Sequence, residues 1–265
     1  MDFIDSDQKK WYPAEGDATA DKNWANWLNR IENEAQGETA EGYLWFPAVW
    51  YTEANRDFDS KLKCTQKMVD TGQVNGYGQV CKRVHNGHDI EAIVIHTTEG
   101  WSGGGRTFMK GSRKASAHYG IERDGRITQS VLDKDQAWHA PGANTWGIGI
   151  EHSAFAKDNP NNSKHLGFTM AQINASAKLV AKLCRKYNIP INRKYIFGHN
   201  EVGKGTVPGA PRGRGGHSDP GPYWDWDAYM SLVKYYYYRR YYIAGGLILA
   251  AGVYGGFLYM LSKID

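Results

Sequence analysis

The middle of the chain is marked by short, continuous runs of apolar residues. Ala92 to Ile95 form one such run, and Trp146 to Ile150 form another. Runs of this kind are typical of strands that are buried on both faces of a sheet. Tyr195 to Phe197 indicate a third, shorter strand. The pattern therefore predicts a buried central sheet.

A hairpin and a helix complete this part of the pattern. Asp124-Gly125 separates the strand-like runs His118 to Glu122 and Arg126 to Val131, which is a strong signal of a β-hairpin. Thr169 with Gln172 predicts a capping box that opens a helix, and this helix should end near Asn188. Its apolar stripe consists of Ile173, Ala177, Val180, Ala181 and Cys184. Alternating strands and helices predict an α/β fold with a central mixed β-sheet flanked by helices.

The C-terminal part carries an apolar pattern of a different length. Residues 241–261 contain no charged side chain, and as a helix they would span roughly 31 Å, about the hydrocarbon thickness of a bilayer. Four Tyr and then Arg239-Arg240 precede this run, as membrane interfaces favour. The pattern predicts a C-terminal transmembrane helix, with a buried core helix as the alternative. Gly252 and Gly256 form a GxxxG spacing that is a weak signal of helix–helix self-association.

Charge is distributed unevenly along the 265 residues. The formal net charge is +4, yet residues 1–42 hold ten acidic and four basic side chains. The acidic start contains no apolar run, so it does not read as a signal peptide. The basic remainder suits an anionic polymer, either nucleic acid or a bacterial cell-wall polymer. Charge alone does not choose between the two, and one short helical candidate lies near Trp24 to Ile31.

Two further features narrow the classes of site. The Gly-rich stretch Gly203 to Gly216 lacks the Gly-Lys-Ser/Thr of a phosphate-binding loop, and its arginines are too few for an RGG tract, so we expect no nucleic-acid partner. We interpret the Gly203 to Gly216 stretch instead as a loop that borders a cleft. Cys184 is expected in the core, and whether Cys64 and Cys81 form a disulfide stays open.

Three residues have the character of a zinc site at one edge of the predicted sheet. His96 and His199 directly follow strand-like runs, and Asp219 precedes Pro-Gly, a stiff turn. A zinc hydrolase needs three protein ligands and an open position, and His with Asp suits zinc. Each residue taken alone also has a plain interpretation, as a hydrogen-bonded loop His or a turn-forming Asp. Spacing alone therefore leaves zinc as one interpretation among several.

The surrounding sequence resembles the type 2 N-acetylmuramoyl-L-alanine amidases from about residue 88 to residue 230. The resemblance rests on several motifs that stand in the family's order: Ile93-Val94-Ile95-His96-Thr97-Thr98-Glu99-Gly100, Ser116-Ala117-His118-Tyr119 with Arg123-Asp124-Gly125, Ala137-Trp138-His139-Ala140, Gly147-Ile148-Gly149-Ile150-Glu151, Gly198-His199-Asn200-Glu201 and Ser218-Asp219-Pro220-Gly221-Pro222-Tyr223-Trp224-Asp225-Trp226. Any one motif is weak, whereas the ordered set is specific.

The resemblance implies a zinc amidase that cleaves the bond between N-acetylmuramic acid and L-alanine in peptidoglycan. Carried over by position, His96, His199 and Asp219 would be the zinc ligands and Glu151 the general base. His217 stands where many members carry Lys, and it would stabilise the oxyanion or protonate the leaving amine. The candidate substrate-binding residues are Trp101, His139, Arg212 and Arg214.

Alternatives to this assignment remain at the level of sequence. His217 could replace Asp219 as the third ligand, with Asp219 orienting it. The domain could also be a non-catalytic peptidoglycan receptor, or a decayed amidase in a membrane-tethered structural protein. His118 and His152 are expected to be structural, because His152 should point to the opposite face of its strand from Glu151.

The predicted span raises a question of location. Residues 1–85 are expected to be an N-terminal extension, 86–233 the amidase domain, and 234–265 a juxtamembrane segment with the span. Arg239 and Arg240 outweigh Lys263 beyond the span, so the positive-inside rule places the domain in the cytoplasm. Peptidoglycan lies on the other side. A phage protein in the host inner membrane, or in the membrane of a lipid-containing virion, would account for both the predicted orientation and the substrate, because it would meet peptidoglycan only during lysis or entry.

Overall fold

The structure is a computed structural model that describes residue 23 and residues 25–52, 58–59, 64–65, 89–156, 168–202 and 216–239. Its strands in chain order are β1 (Leu44–Trp45), β2 (Tyr51–Thr52), β3 (Phe58–Asp59), β4 (Cys64–Thr65), β5 (Ala92–Thr97), β6 (Tyr119–Ile121), β7 (Ile127–Gln129), β8 (Gln136–Ala137), β9 (Gly147–His152) and β10 (Ile196–Gly198). Its helices are α1 (Ile31–Glu34), α2 (Gly105–Lys110), α3 (Met170–Tyr187) and α4 (226–239).

Six strands form one mixed sheet in the order β1-β7-β6-β9-β5-β10. The hairpin β6–β7 is antiparallel, as Asp124-Gly125 predicts, and every other pair in this sheet is parallel. Two small antiparallel pairs, β2–β8 and β3–β4, lie outside it. The predicted α/β fold with a mixed central sheet is therefore confirmed.

The helix α3 begins and ends where the sequence indicates. The Thr169 side chain accepts a hydrogen bond from the backbone N–H of Gln172, which caps the helix, and Asn188 ends it in the left-handed conformation. The side chain of Gln172 does not return to the cap. It donates instead to the carbonyl oxygens of Ile121, the last residue of β6, and Ser153, the residue after β9.

Alternation along the central strands separates two cores. Ile93 and Ile95 of β5 pack with α3 and with Tyr229 of α4 in the larger cluster. Ala92 and Val94 point the other way, into a smaller cluster. The predicted core position of Cys184 is confirmed, because this residue is fully buried in the larger cluster.

Part of the predicted N-terminal extension packs against the domain. Residues 25–28 are helical and lead through a turn into α1, which agrees with the helical candidate in this region. Trp27 and Ile31 are buried with Leu44 and Phe46. The strand β1 follows and pairs with β7 of the central sheet. Residues 27–46 thus share a core and a sheet with the domain, although the predicted boundary lies at residue 85.

Several predictions concern residues outside the described part of the chain. The span at residues 241–261, with Gly252 and Gly256, lies beyond residue 239, the last described residue. Arg212 and Arg214 lie in the gap at 203–215, between described residues. The side chains of Cys64 and Cys81 are also outside the described set. Among the residues that are described, no helix is both long and apolar enough to cross a bilayer.

Candidate metal and catalytic site

The candidate site lies where the parallel strands end. His96 near the end of β5 is paired with Glu151 near the end of β9, and His199 directly follows β10 in a short 3₁₀ turn. Because the carboxyl ends of parallel strands meet at one edge of a sheet, these three side chains are brought to the same place. They reach it from separate segments of the sequence.

Asp219 completes the cluster from a loop. The backbone N–H of Asn200 donates to the carbonyl oxygen of Asp219 at 2.8 Å, which ties this loop to the end of β10. One carboxylate oxygen of Asp219 lies 3.1 Å from Nδ1 of His96 and 3.2 Å from Nδ1 of His199. His96, His199 and Asp219 are all buried, and one ligand atom from each lies within 4.8 Å of the others.

The protonation states of the cluster match those that a metal requires. Burial and then the neighbouring His199 lower the pKa of His96 to about 4 against the opposing effect of Asp219, so the ring is neutral at pH 7. Burial acts to raise the pKa of Asp219, but the neighbouring imidazoles of His199 and His96 outweigh it and hold this pKa well below its usual value. A neutral imidazole and an ionised carboxylate are ligand forms.

The residues present fit a zinc ion. Two imidazole nitrogens and a carboxylate oxygen form a common donor set for catalytic zinc. Ligand atoms that lie about 2.0–2.1 Å from zinc at tetrahedral angles are separated by about 3.3 Å. The separations of 3.1 and 3.2 Å between Asp219 and the two histidines agree with this value.

Glu151 presents a buried oxygen next to this cluster. Its Oε2 atom is buried and has no hydrogen-bond partner among the described residues. Burial raises the pKa of Glu151 well above 4.5, and the charges of Asp219 and Glu99 raise it further, whereas Arg113 opposes them. A bound cation, like Arg113, would lower the pKa of Glu151 and so favour the ionised form. Burying a carboxylate oxygen without a hydrogen-bond partner costs free energy, so such an oxygen is typical of a functional residue, as we infer for Glu151.

His217 lies beside the cluster but outside it. Its side chain is 46% exposed, and its Nδ1 atom is 4.0 Å from the carboxylate of Asp219. The ring stacks on His199 at 3.6 Å with an interplanar angle of 20°. The structure thus groups Asp219, and not His217, with His96 and His199, while His217 borders the same cavity.

His139 lies behind His96 and supports it. The Nδ1 atom of His139 is 3.0 Å from Nε2 of His96, and burial lowers the pKa of His139 well below 6.5. Gly149 makes room for this ring, because a Cβ atom at that position would lie 2.5 Å from the ring of His139. His139 also lines the cavity, as predicted, but its polar contacts are with the protein.

The two histidines expected to be structural, His118 and His152, are buried and make hydrogen-bond contacts with the protein. His118 accepts from the backbone N–H of Gly149 and contacts the carbonyl oxygen of Asp135. His152 lies on the opposite face of β9 from Glu151, 2.8 Å from the hydroxyl of Ser176 on α3. Neither borders the cavity.

One cavity of about 870 Å³ joins these groups. It is lined by His96, Glu151, His199, His217 and Asp219, together with the half-exposed Trp101. Trp101 therefore lines the cavity, and its role as a substrate contact stays a prediction. Other lining residues were not predicted from the sequence, namely Asn23, Asn26, Arg30, Glu99, Arg106 and Arg113. The sequence signal that could have identified the first three is the spacing of three and four residues between Asn23, Asn26 and Arg30, next to the apolar Trp27 and Ile31.

Known proteins with similar sequences match the region that carries the site. Residues 86–222 match the family described as N-acetylmuramoyl-L-alanine amidase. The chain is 34% identical to N-acetylmuramoyl-L-alanine amidase A of Achromobacter lyticus over 157 residues, which is 56% of this chain and 85% of that protein. It is 35% identical to 1,6-anhydro-N-acetylmuramyl-L-alanine amidase AmpD of Haemophilus influenzae over 129 residues, 46% of this chain and 60% of AmpD.

A solved structure with a bound substrate is more distantly similar. It is the amidase AmiD from E. coli in complex with anhydro-N-acetylmuramic acid-L-Ala-D-gamma-Glu-L-Lys, at 22% identity and a TM-score of 0.42. The likeness covers 61% of this chain and 66% of AmiD, and its TM-score is below the level that establishes a shared fold.

Proposed function

The chain belongs to the type 2 N-acetylmuramoyl-L-alanine amidase family, which it matches over just over half of its length, and is an enzyme of that class. We propose that it hydrolyses the amide between N-acetylmuramic acid and L-alanine in bacterial peptidoglycan, with a zinc ion held by His96, His199 and Asp219. The observation that supports this most is the meeting of these three buried donors with the unpaired Oε2 atom of Glu151 in one cavity.

The three ligands would leave one side of the metal open to the cavity. Nδ1 of His96, Nδ1 of His199 and a carboxylate oxygen of Asp219 come together at the edge of the sheet, and all three residues line the cavity. Bound zinc would polarise the amide carbonyl and lower the pKa of a water molecule toward 7.

Glu151 moves the protons in this proposal. Its Oε2 atom takes a proton from the attacking water as the new C–O bond forms at the muramoyl carbonyl carbon. The C–N bond to L-alanine then breaks, and the same carboxyl group delivers the proton to the departing nitrogen. The products are the muramoyl carboxylic acid and the free amine of the peptide, which become carboxylate and ammonium at pH 7 when the acid passes its proton to the amine. No other group needs to supply a proton.

We propose that His217 contacts the substrate at the rim of the cavity. Its exposed ring is stacked on His199 and faces the cavity, where an N–H could donate to the carbonyl oxygen as negative charge develops. This is the contribution we propose for His217. Trp101, also at the rim, would pack its ring against the sugar.

We also propose a membrane location for the enzyme. The support is in the sequence alone: a charge-free run at residues 241–261 with Tyr and Arg at its near edge. The excess of cations on the domain side of this run favours a cytoplasmic domain. A phage enzyme that reaches peptidoglycan during lysis or entry accounts for both features.

Zinc binding by single variants tests the ligand set. We expect His96→Ala, His199→Ala and Asp219→Ala each to lose stoichiometric zinc, because two remaining ligands bind the ion poorly. His217→Ala is the matched control, since it removes a neighbouring imidazole, and it should retain one zinc per chain. Full zinc in Asp219→Ala with loss in His217→Ala would replace Asp219 by His217 in the ligand set.

A further inference from the structure

The N-terminal segment at residues 25–34 is fixed against the domain by contacts of several kinds. The indole N–H of Trp27 donates to Glu122 at 2.9 Å, and the backbone N–H of Gly103 in a cavity-lining loop donates to the other oxygen of the same carboxylate. Arg126 donates to the carbonyl oxygen of Leu28 at 2.8 Å. The segment is therefore held against the domain by specific hydrogen bonds and forms part of its surface.

One side of this segment faces the cavity. Asn23, Asn26 and Arg30 recur at spacings of three and four residues, and Arg30 lies in the turn that precedes α1. All three line the cavity that contains His96 and Glu151. Trp27 anchors the same side through its buried ring. The wall of the cleft thus includes residues that precede the region matched by the family, which begins at residue 86.

The lining residues divide by charge. The deep part of the cavity carries the carboxyl groups of Glu151 and Asp219, whereas Arg30, Arg106 and Arg113 line it elsewhere. The Arg30 side chain is 54% exposed, and its one ion pair within the described residues is at 3.5 Å to Glu34. Exposed pairs of this kind are weak, so the guanidinium of Arg30 is available to a ligand.

The remaining cations differ from Arg30 in their contacts. Arg106 forms an ion pair with Glu34 at 2.6 Å through Nε, which is shorter than the pair between Arg30 and the same carboxyl group. Arg113 is exposed and lies close enough to Glu151 to oppose the rise of that residue's pKa. Arg30 is therefore the cation with the most freedom to bind an anion away from the reacting bond.

We propose that Arg30, assisted by the amide of Asn26, binds a carboxylate of the peptide moiety of the substrate. Guanidinium matches a carboxylate in a two-point geometry, and an amide N–H can donate to the same oxygens. The inference rests on the proposed function, because a muramoyl peptide places an acidic peptide on the alanine side of the cleaved bond. It assigns substrate selection to a segment outside the matched family region.

Equilibrium binding to the full-length chain tests this subsite without the cleavage reaction. The probes are the peptide L-Ala-γ-D-Glu-L-Lys and the same peptide with the α-carboxylate of its Glu converted to an amide. Wild type should bind the acid at least about tenfold more tightly than the amide, the usual value of a charge-assisted hydrogen bond. Arg30→Ala should reduce this ratio to near one, and Arg30→Lys should retain part of it.

Two controls separate a local contact from a general effect of charge or folding. Lys110→Ala removes one cation outside the cavity, and Asn29→Ala changes an exposed neighbour of Arg30 that does not line it. Both should keep the wild-type ratio. A ratio that is unchanged in Arg30→Ala, or near one in wild type, would overturn the subsite.

The outcome is distinct from that of the proposed function. Release of peptide from muramoyl peptides without any Arg30-dependent preference would leave the amidase intact and remove the subsite. An Arg30-dependent preference without cleavage of the muramoyl–alanine bond would leave the subsite intact and overturn the proposed amidase activity.

Discussion

His139 Nδ1 lies 3.0 Å from His96 Nε2, and this contact fixes the tautomer of His96. The other ring nitrogen of His139 is 3.1 Å from the carbonyl oxygen of Gly147, which can only accept a hydrogen bond. His139 therefore donates from Nε2 and accepts at Nδ1, so His96 must carry its proton on Nε2. The lone pair of His96 is then on Nδ1, the atom that faces Asp219 and the proposed metal position.

His139→Ala should weaken zinc binding about 10- to 100-fold, because an orienting partner of a metal-bound imidazole is lost. Competition with a chelator of known affinity measures this change. His139→Gln, whose side-chain oxygen can accept from His96, should recover part of the affinity. If His139→Ala alters only the unfolding temperature of the metal-free protein and leaves zinc affinity unchanged, His139 does not position His96.

Glu151→Gln should keep one zinc per chain and a wild-type fold while losing at least about a hundredfold in turnover. The amide has the shape of the carboxyl group but cannot take a proton from water. Zinc content, circular dichroism and the rate of muropeptide release distinguish these effects. Near-native turnover in this variant would remove Glu151 from the proton transfers.

Glu122 should give the stability of the fold a specific pH dependence. Burial raises its pKa to about 7, although Gly103 and Trp27 donate to it. The folded state therefore binds this proton more tightly than the unfolded state, whose carboxyl group has a pKa near 4.5. The stability from this group is full below about pH 4.5 and is lost as pH rises to about 7, by up to about 3 kcal/mol.

Urea unfolding of wild type and Glu122→Gln from pH 4.5 to 8 isolates this contribution, because other titrating groups cancel in the difference. The wild-type free energy of unfolding, relative to that of the variant, should fall as pH rises. A pH-independent difference would show that Glu122 titrates alike in the folded and unfolded chains.

Local patterns predicted the elements that are specified by neighbouring residues. The apolar run at 92–95 forms β5, and Thr169 caps α3, because burial on both faces and helix capping are set within a few residues. His96, His199 and Asp219 were grouped before the structure by the resemblance to the amidase family, since their places after strands and before a turn also fitted plainer interpretations. The role of these three as ligands stays a prediction.

Contacts between distant segments were not readable in the same way. His96 and His139 are 43 positions apart, and Trp27 and Glu122 are 95 positions apart. No periodicity relates such residues, so His139 was expected only to face the cleft. The placement of residues 25–34 beside the cavity follows from the burial of Trp27 and Ile31, which depends on the assembled sheet.

The full-length chain should behave as an integral membrane protein through residues 241–261. A charge-free run of this length is more stable in hydrocarbon than in water. Extraction of membranes with alkaline carbonate should leave the protein in the pellet, and a chain ending at residue 239 is the matched control that should be released. Release of the full-length chain would contradict the anchor. Digestion of the domain by external protease in right-side-out vesicles would reverse its proposed orientation.

Mass spectrometry of peptidoglycan digested by the chain ending at residue 239 tests the proposed reaction most directly. The amidase assignment predicts free peptides with an N-terminal L-alanine and glycan strands whose N-acetylmuramic acid has lost its peptide. These products should disappear on chelation of zinc and return when zinc is restored, and Glu151→Gln should yield almost none. Peptides cleaved at another bond, or products that persist without metal and with Glu151→Gln, would contradict a zinc amidase at this site.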